Sequence, residues 1–377
     1  MEYADASALV LRVITSVLMP AEVQIKQFEL SEQKELLSFL RLAYPDDPRR
    51  SDPEFWKWHT LENPYTSQAD IPLWIAKDGD RVVGQVAGIP MELNVNGAAR
   101  RAIWIVDLVV LEAYRGRGLG KQLMLAGRNY GPPVCALGFN ESSGPILLAL
   151  NWTPLGPISR HQKLLFPGNT LKQVSSFAPL RGLVNLSYAI VRRGASNSLP
   201  SNQFEVSEIS EFDESFDDLW QRARNQWKCS VTRSSRFLEW QFKLQPGKKF
   251  VILGLRDGAR LAGYVVLFFR KPEHSNLIAK AAIADIVYDA NYGSELIAAL
   301  LQAALREAIS QRAGAVVTDI QDPRLEEYLR KLGFWSVTPR ASFMVYDPRT
   351  EPAMYEMSNW FLTRADSDVS IFEDPNL

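Results

Sequence analysis

Apolar positions in this chain change period several times, and each change predicts an element. Leu36, Leu37 and Leu40 recur at helical spacing behind Ser31, which predicts an amphipathic helix over 31–42. Two short apolar runs, 73–76 and 82–89, flank Asp78-Gly79 and predict a β-hairpin. A long apolar strand over 102–111 follows, then a helix, a short strand over 134–137 and a second helix. The same grammar returns later: a helix within 213–227, a hairpin of 250–253 and 261–268 about Asp257-Gly258, a strand over 279–288, a helix, and a strand over 315–318. Strand–helix–strand–helix after an antiparallel hairpin predicts an α/β fold with a mixed sheet.

The recurrence extends to individual residues. Phe55-Trp56-Lys57-Trp58 is echoed by Phe237-Leu238-Glu239-Trp240, and Asp78-Gly79 by Asp257-Gly258. Asp107-Leu108-Val109-Val110 is echoed by Asp285-Ile286-Val287-Tyr288, and Asn151-Trp152 by Gly333-Phe334. Four echoes in order, all 178 to 182 residues apart, indicate two copies of one domain. The expected division is an extension over 1–20, a first domain over 21–194, a small polar linker over 195–202 and a second domain over 203–377, with a helix over 180–193 joining the halves. The apolar run 8–19 is too short for a membrane span and lacks the basic start of a secretory signal, so it reads as part of the extension.

The first copy carries a feature that the second lacks. Its long strand runs through Glu112-Ala113-Tyr114 into Arg115-Gly116-Arg117-Gly118-Leu119-Gly120-Lys121 and then into an amphipathic helix. Glycines at a helix N-terminus let a phosphate approach unpaired N–H groups, and the helix dipole and basic side chains add positive potential. The glycines are one residue too tight for a dinucleotide fingerprint, and Gln122 stands where a P-loop needs Ser or Thr. The spacing Arg115, Gly118, Gly120 resembles motif A of the GCN5-related N-acetyltransferase (GNAT) superfamily, and Tyr328 to Phe334 is similar to that superfamily's later helix–turn signature.

The resemblance implies two tandem GNAT-like acyl-CoA N-acyltransferase domains. By position, Gly116 to Lys121, with Arg115, would hold the pyrophosphate of acetyl-CoA or another acyl-CoA. Leu108, Val109 and Val110 would pair with pantetheine amides, and Asn140 would contact the pantetheine arm or acyl carbonyl. Leu147 falls where many members of the superfamily place a tyrosine acid. The second copy reads Asp289 to Glu295 at the loop, with one glycine and no arginine, so it is expected not to bind CoA.

The chemistry implied is direct transfer of an acyl group to a primary amine of a small molecule in a ternary complex. Asp107 is the candidate base, with a structural carboxylate at a strand splay as its competing reading, which the echo Asp285 supports. Glu92 is the alternative base. Ser142 and Ser143 are candidate donors to the thiolate or, equally, helix caps. His59 and Tyr65 are candidates for the acceptor pocket or for packing, and Cys135 for inert core. Two other readings stay open: a non-catalytic acyl-CoA-binding module, and an aminoacyl-tRNA-dependent transferase, which the glycine loop argues against.

Charge and cysteine content narrow the partners. The 377 residues hold 42 basic and 43 acidic side chains and no basic block, so nucleic acid is not expected. Two cysteines and three histidines without ligand spacing predict no metal and no disulfide framework, which fits a cytoplasmic protein.

Overall fold

The computed structural model describes residues 23–166, 183, 204–270, 279–339, 341–368 and 371. The expected extension over 1–20, the linker over 195–202 and, apart from residue 183, the helix over 180–193 lie outside these residues.

In the first half the order is β1 (Gln24–Gln27), α1 (Gln33–Ala43), α2 (Pro53–Thr60), β2 (Leu73–Asp78), β3 (Arg81–Val95), β4 (Ala98–Val110), α3 (Leu119–Arg128), β5 (Val134–Leu137), α4 (Gly144–Ala149), β6 (Thr153–Pro157) and β7 (Ser159–Leu164). The second half runs β8 (Glu205–Glu208), α5 (Glu214–Ala223), β9 (Cys229–Val231), α6 (Ser235–Phe242), β10 (Phe250–Asp257), β11 (Arg260–Arg270), β12 (Lys280–Tyr288), α7 (Gly293–Ser310), β13 (Ala315–Gln321), α8 (Pro323–Lys331), β14 (Trp335–Val337), β15 (Ser342–Tyr346) and β16 (Trp360–Thr363).

Local chemistry sets the boundaries. The Asp52 carboxylate accepts from the Glu54 and Phe55 N–H groups and Pro53 opens α2, while Ser234 caps α6 in the same way. The strand expected over 82–89 runs on to Val95, because Asn96 and Gly97, both at positive φ, turn it back into β4. Two echoed glycines let a helix lie close on its hairpin. A Cβ on Gly84 would meet Leu123 of α3 at 3.2 Å, and one on Gly263 would meet the Val287 carbonyl at 2.8 Å and Leu300 of α7 at 2.9 Å.

The two halves share one mixed sheet by exchanging strands. β15 lies between β5 and β6 of the first half, antiparallel to both. In return β7 lies between β13 and β14 of the second. The echoed tryptophans meet at the junction: the Trp58 indole N–H donates to the Trp240 carbonyl at 2.9 Å and the Trp240 indole to the Trp58 carbonyl at 3.0 Å. Their rings stack 5.1 Å apart. One buried cluster accordingly mixes Phe55, Trp58 and Trp104 with Phe237, Trp240, Phe343 and Trp360. Reciprocal bonds between echoed residues are what a twofold-related duplication produces.

Among the described residues, no helix is long and apolar enough to cross a membrane, and no group of three or more His, Cys, Asp or Glu could hold a metal ion.

Candidate active site

The site begins where two parallel strands part. β4 and β5 pair only at Ile103↔Val134 and Trp104↔Cys135, yet β4 continues to Val110 and β5 to Leu137. β4 stays attached to β3 on its other edge, and β5 is held on its far edge by β15 of the second half. The gap is a cleft of about 290 Å³, lined by Ile105 to Leu108 on one wall and Ala136 to Asn140 on the other, with Leu147 of α4 between them. Among the described residues, no strand pairs with this edge of Leu108, Val109 and Val110, whose side chains are half-buried.

At the open end of β4 lies the glycine loop. Gly116 and Gly118 both sit at φ +77, and a Cβ at either would meet nothing within 4 Å, so the space beside the backbone is open. Gly118 starts α3, and the first helical bond is from Gln122 N–H to the Gly118 carbonyl at 3.2 Å. The N–H groups of Leu119, Gly120 and Lys121 precede it and have no helical carbonyl to bond. Arg115 donates to the Val110 carbonyl at 3.1 Å and Arg117 to the Ala113 carbonyl at 3.1 Å, which ties both guanidiniums to the loop's approach. An exposed, dipole-facing cradle of this kind suits an anion such as a phosphate group.

At the inner end of the cleft stands Asp107. The pairings Gln85↔Val109 and Ala87↔Val106 leave Asp107 and Leu108 as a bulge opposite Val86, and Asp107 takes φ +53, unusual for a residue with a side chain. The bulge aims the carboxylate into an ion pair with Arg50, and the Tyr44 hydroxyl donates to the same oxygen at 3.3 Å. Arg50 stacks over the Tyr44 ring, 4.3 Å from its centroid. A third charged group, Asp368, enters the cleft from the C-terminal end of the chain. Burial and the neighbouring Asp107 charge push its pKa up to about 6, with Arg50 pulling the other way.

The other expected site residues divide between the cleft and elsewhere. Asn140 lines the cleft, but its side-chain oxygen is occupied by the N–H groups of Ser142 and Ser143 at 3.0 and 2.9 Å. Ser143 reaches the cleft, with its hydroxyl tied back to Asn140 at 3.1 Å. Ser142 is exposed outside the lining. Glu92 pairs with Arg101, six residues and roughly 20 Å along β4 from Asp107, so the fold does not bring it to the cleft. His59 stacks on Phe55 and lines a small cavity of about 20 Å³ behind Asp107, and burial lowers its pKa to about 4. Tyr65 lies at the junction of the halves, its hydroxyl 3.4 Å from Ser234. Burial raises the Cys135 thiol well above its ordinary pKa, which keeps it unreactive.

Arg50, Tyr44 and Asp368 were not singled out from the sequence. Arg50 had a signal, because Arg233 stands 183 residues on, one beyond the range of the other echoes.

The second half carries the counterpart of this site in closed form. β12 and β13 pair from Lys280↔Ala315 to Ile283↔Thr318 and then part. β7 occupies the far edge of β13 at Ile320↔Ser159, so β16, pairing at Ile320↔Thr363, lies on the edge that faces β12. The Thr363 hydroxyl reaches Asp285 on β12 at 2.8 Å. The gap that is a cleft in the first half is filled by a strand in the second. At the loop position Asp289 bonds the Asn291 N–H at 3.0 Å and pairs with Arg222.

Splayed parallel strands, a bulge and a glycine loop at the next helix are the features on which the fold can be compared with those of known proteins. The family model for the acetyltransferase (GNAT) domain matches residues 24–129, from β1 through α3. No curated protein matches the chain in sequence. The chain is similar in fold to a GCN5-related N-acetyltransferase from Anabaena variabilis, with TM-score 0.60 and 11% identity over 86% of this chain and 72% of that one. A probable N-acyltransferase from Enterococcus faecalis gives TM-score 0.58 and 14% identity over 85% and 72%. The N-myristoyltransferase of Saccharomyces cerevisiae, solved with myristoyl-CoA, gives 0.56 and 12% over 87% and 83%.

Proposed function

We propose that the protein is an acyl-CoA-dependent N-acyltransferase, using acetyl-CoA to acylate a primary amine of a small molecule by direct attack in a ternary complex. The observation that carries this reading is the cleft where β4 and β5 part, lined by Ile105 to Leu108, Ala136 to Asn140 and the charged Asp107 and Arg50, on the strand that leads into the glycine loop at the start of α3. Bound there, acyl-CoA would supply an activated carbonyl. This chain's residues would hold its phosphates through the loop and its amides through Leu108 to Val110. They would also align the amine with the carbonyl, a large source of rate in a two-substrate transfer.

Two features favour the finer choices. Above pH 6, Asp107 and Asp368 oppose one cation, Arg50, so the cluster attracts an ammonium and suits an amine acceptor. The space behind Asp107 is about 20 Å³, room for about one water and not for a long acyl chain, which favours acetyl. Two free buried cysteines fit a reducing compartment such as the cytoplasm.

The test is calorimetric. Gly118→Glu places a carboxylate where the phosphates would sit, and CoA affinity should fall more than about ten-fold, or about 1.4 kcal/mol. Gly118→Asn, which tolerates the left-handed conformation, should keep most of it. Unchanged affinity in a folded Gly118→Glu protein defeats the reading.

A further inference from the structure

We propose that Asp368, delivered into the first half's cleft by the C-terminal segment of the second, is the carboxylate that takes the proton from the acceptor amine. The inference rests on the acyltransferase reading above.

Placement comes first. After β16 closes the second half's gap, the chain runs through Arg364, Ala365, Asp366 and Ser367 to Asp368 in five residues. Asp366 anchors that run on the second half: Arg233 donates to its two carboxylate oxygens at 3.0 and 2.9 Å, and the Thr363 N–H donates at 2.8 Å. Arg364 pairs with Asp319 of β13. Asp368 then lines the cleft beside Asp107 and Arg50. The closed second half is thereby given a task, which is to hold the strand that presents this carboxylate.

Division of labour among the acids comes next. The Oδ1 atom of Asp107 accepts from both Arg50 and Tyr44, bonds that fix the bulge and engage that oxygen. Asp368 has a weaker hold, a 3.2 Å bond from the Ser367 hydroxyl. The charged and titratable groups facing it are Asp107, Arg50 and Tyr44. Burial and the Asp107 charge leave it with a pKa of about 6, near the value at which a base is both deprotonated and effective at neutral pH.

The step balances. The acceptor, drawn in as its ammonium, gives one N–H proton to solvent, and the freed lone pair forms the C–N bond to the thioester carbon while a second N–H proton passes to Asp368. The C–S electron pair leaves on sulfur, the thiolate takes a proton from water, and Asp368 returns its proton to solvent.

The experiment uses the full chain, acetyl-CoA and a panel of primary amines (methylamine, ethanolamine, glucosamine, lysine), followed by thiol release across pH. Asp368→Asn should lower kcat by about 10²–10⁴ with calorimetric CoA affinity unchanged, and should abolish an acidic limb near pH 6 in kcat/KM. Asp368→Glu should restore part of the rate and the limb. Near-normal turnover or a retained limb in Asp368→Asn overturns the assignment and leaves the acyltransferase reading standing. Failure of wild-type protein to bind CoA sinks that reading instead. Infrared difference spectra of wild type against Asp368→Asn give a readout free of the acceptor: a carboxyl band should vanish about pH 6. Its absence overturns the assignment whatever the panel yields.

Discussion

Arg50 with Asp107 and Arg233 with Asp285 are the same ion pair placed in two settings. Both join an arginine ahead of a helix to an aspartate on the strand that leaves its parallel neighbour. In the first half the side chains retain 16% and 14% exposure and border a cleft. In the second they fall to 1% and 0%, and Asp285 also accepts from Tyr264 at 2.9 Å and Thr363 at 2.8 Å. The difference comes from one strand: β16 fills the second gap, and its continuation leaves an acid at the first. The pair itself recurs with or without a cleft, and the two settings differ in what the neighbouring strand leaves open.

The largest expected effect tests that division. Arg233→Met strands Asp285 and Asp366 without their cation in a closed interior, and should cost about 3–5 kcal/mol. Arg50→Met leaves Asp107 beside solvent in the cleft and should cost about 1 kcal/mol. Urea unfolding of both proteins reads the difference, and a reversed order would break the comparison. Ligand stoichiometry comes next. Titration should give one CoA per chain, and Gly293→Glu, at the second half's loop position, should leave CoA affinity within about two-fold while Gly118→Glu loses more than about ten-fold. Two equivalent sites would show that β16 does not close the second gap to ligand.

Much of this arrangement was legible in the sequence because it is local. The Asp78-Gly79 and Asp257-Gly258 turns, the strand at Val134–Leu137 and the glycine loop each announce themselves within a few residues. The echoes marked Trp58 and Trp240 as counterparts, though not that the two would bond each other. What stayed hidden is non-local. Nothing in Ser342–Tyr346 says that it pairs with Val134–Leu137 across two hundred residues, since the apolar pattern suits either sheet. Glu92 and Asp107 both sit on strands of one hairpin, and only the register shows that they lie far apart. Asp368 follows no motif, and its place in the cleft depends on where Asp366 is anchored.

The smallest effect separates a carboxylate kept for chemistry from one kept for structure. Asp368 has a folded pKa of about 6 against an ordinary 3.8. Between those values the folded chain binds more protons than the unfolded one, so this group's contribution to stability declines as pH rises through the window and stays low above it. Asn carries no such term. The stability of Asp368→Asn relative to wild type should therefore climb between pH 4 and 6 and level off at about 1–2 kcal/mol in the variant's favour, a figure reduced for the residue's partial exposure. Urea unfolding of both proteins at pH 4.5 and pH 7 measures it, and common effects of pH cancel in the difference. A carboxylate retained for the ion pairs it makes would give the opposite sign, with the variant losing ground as pH rises. That result would make Asp368 a structural acid and return the proton-accepting role to Asp107.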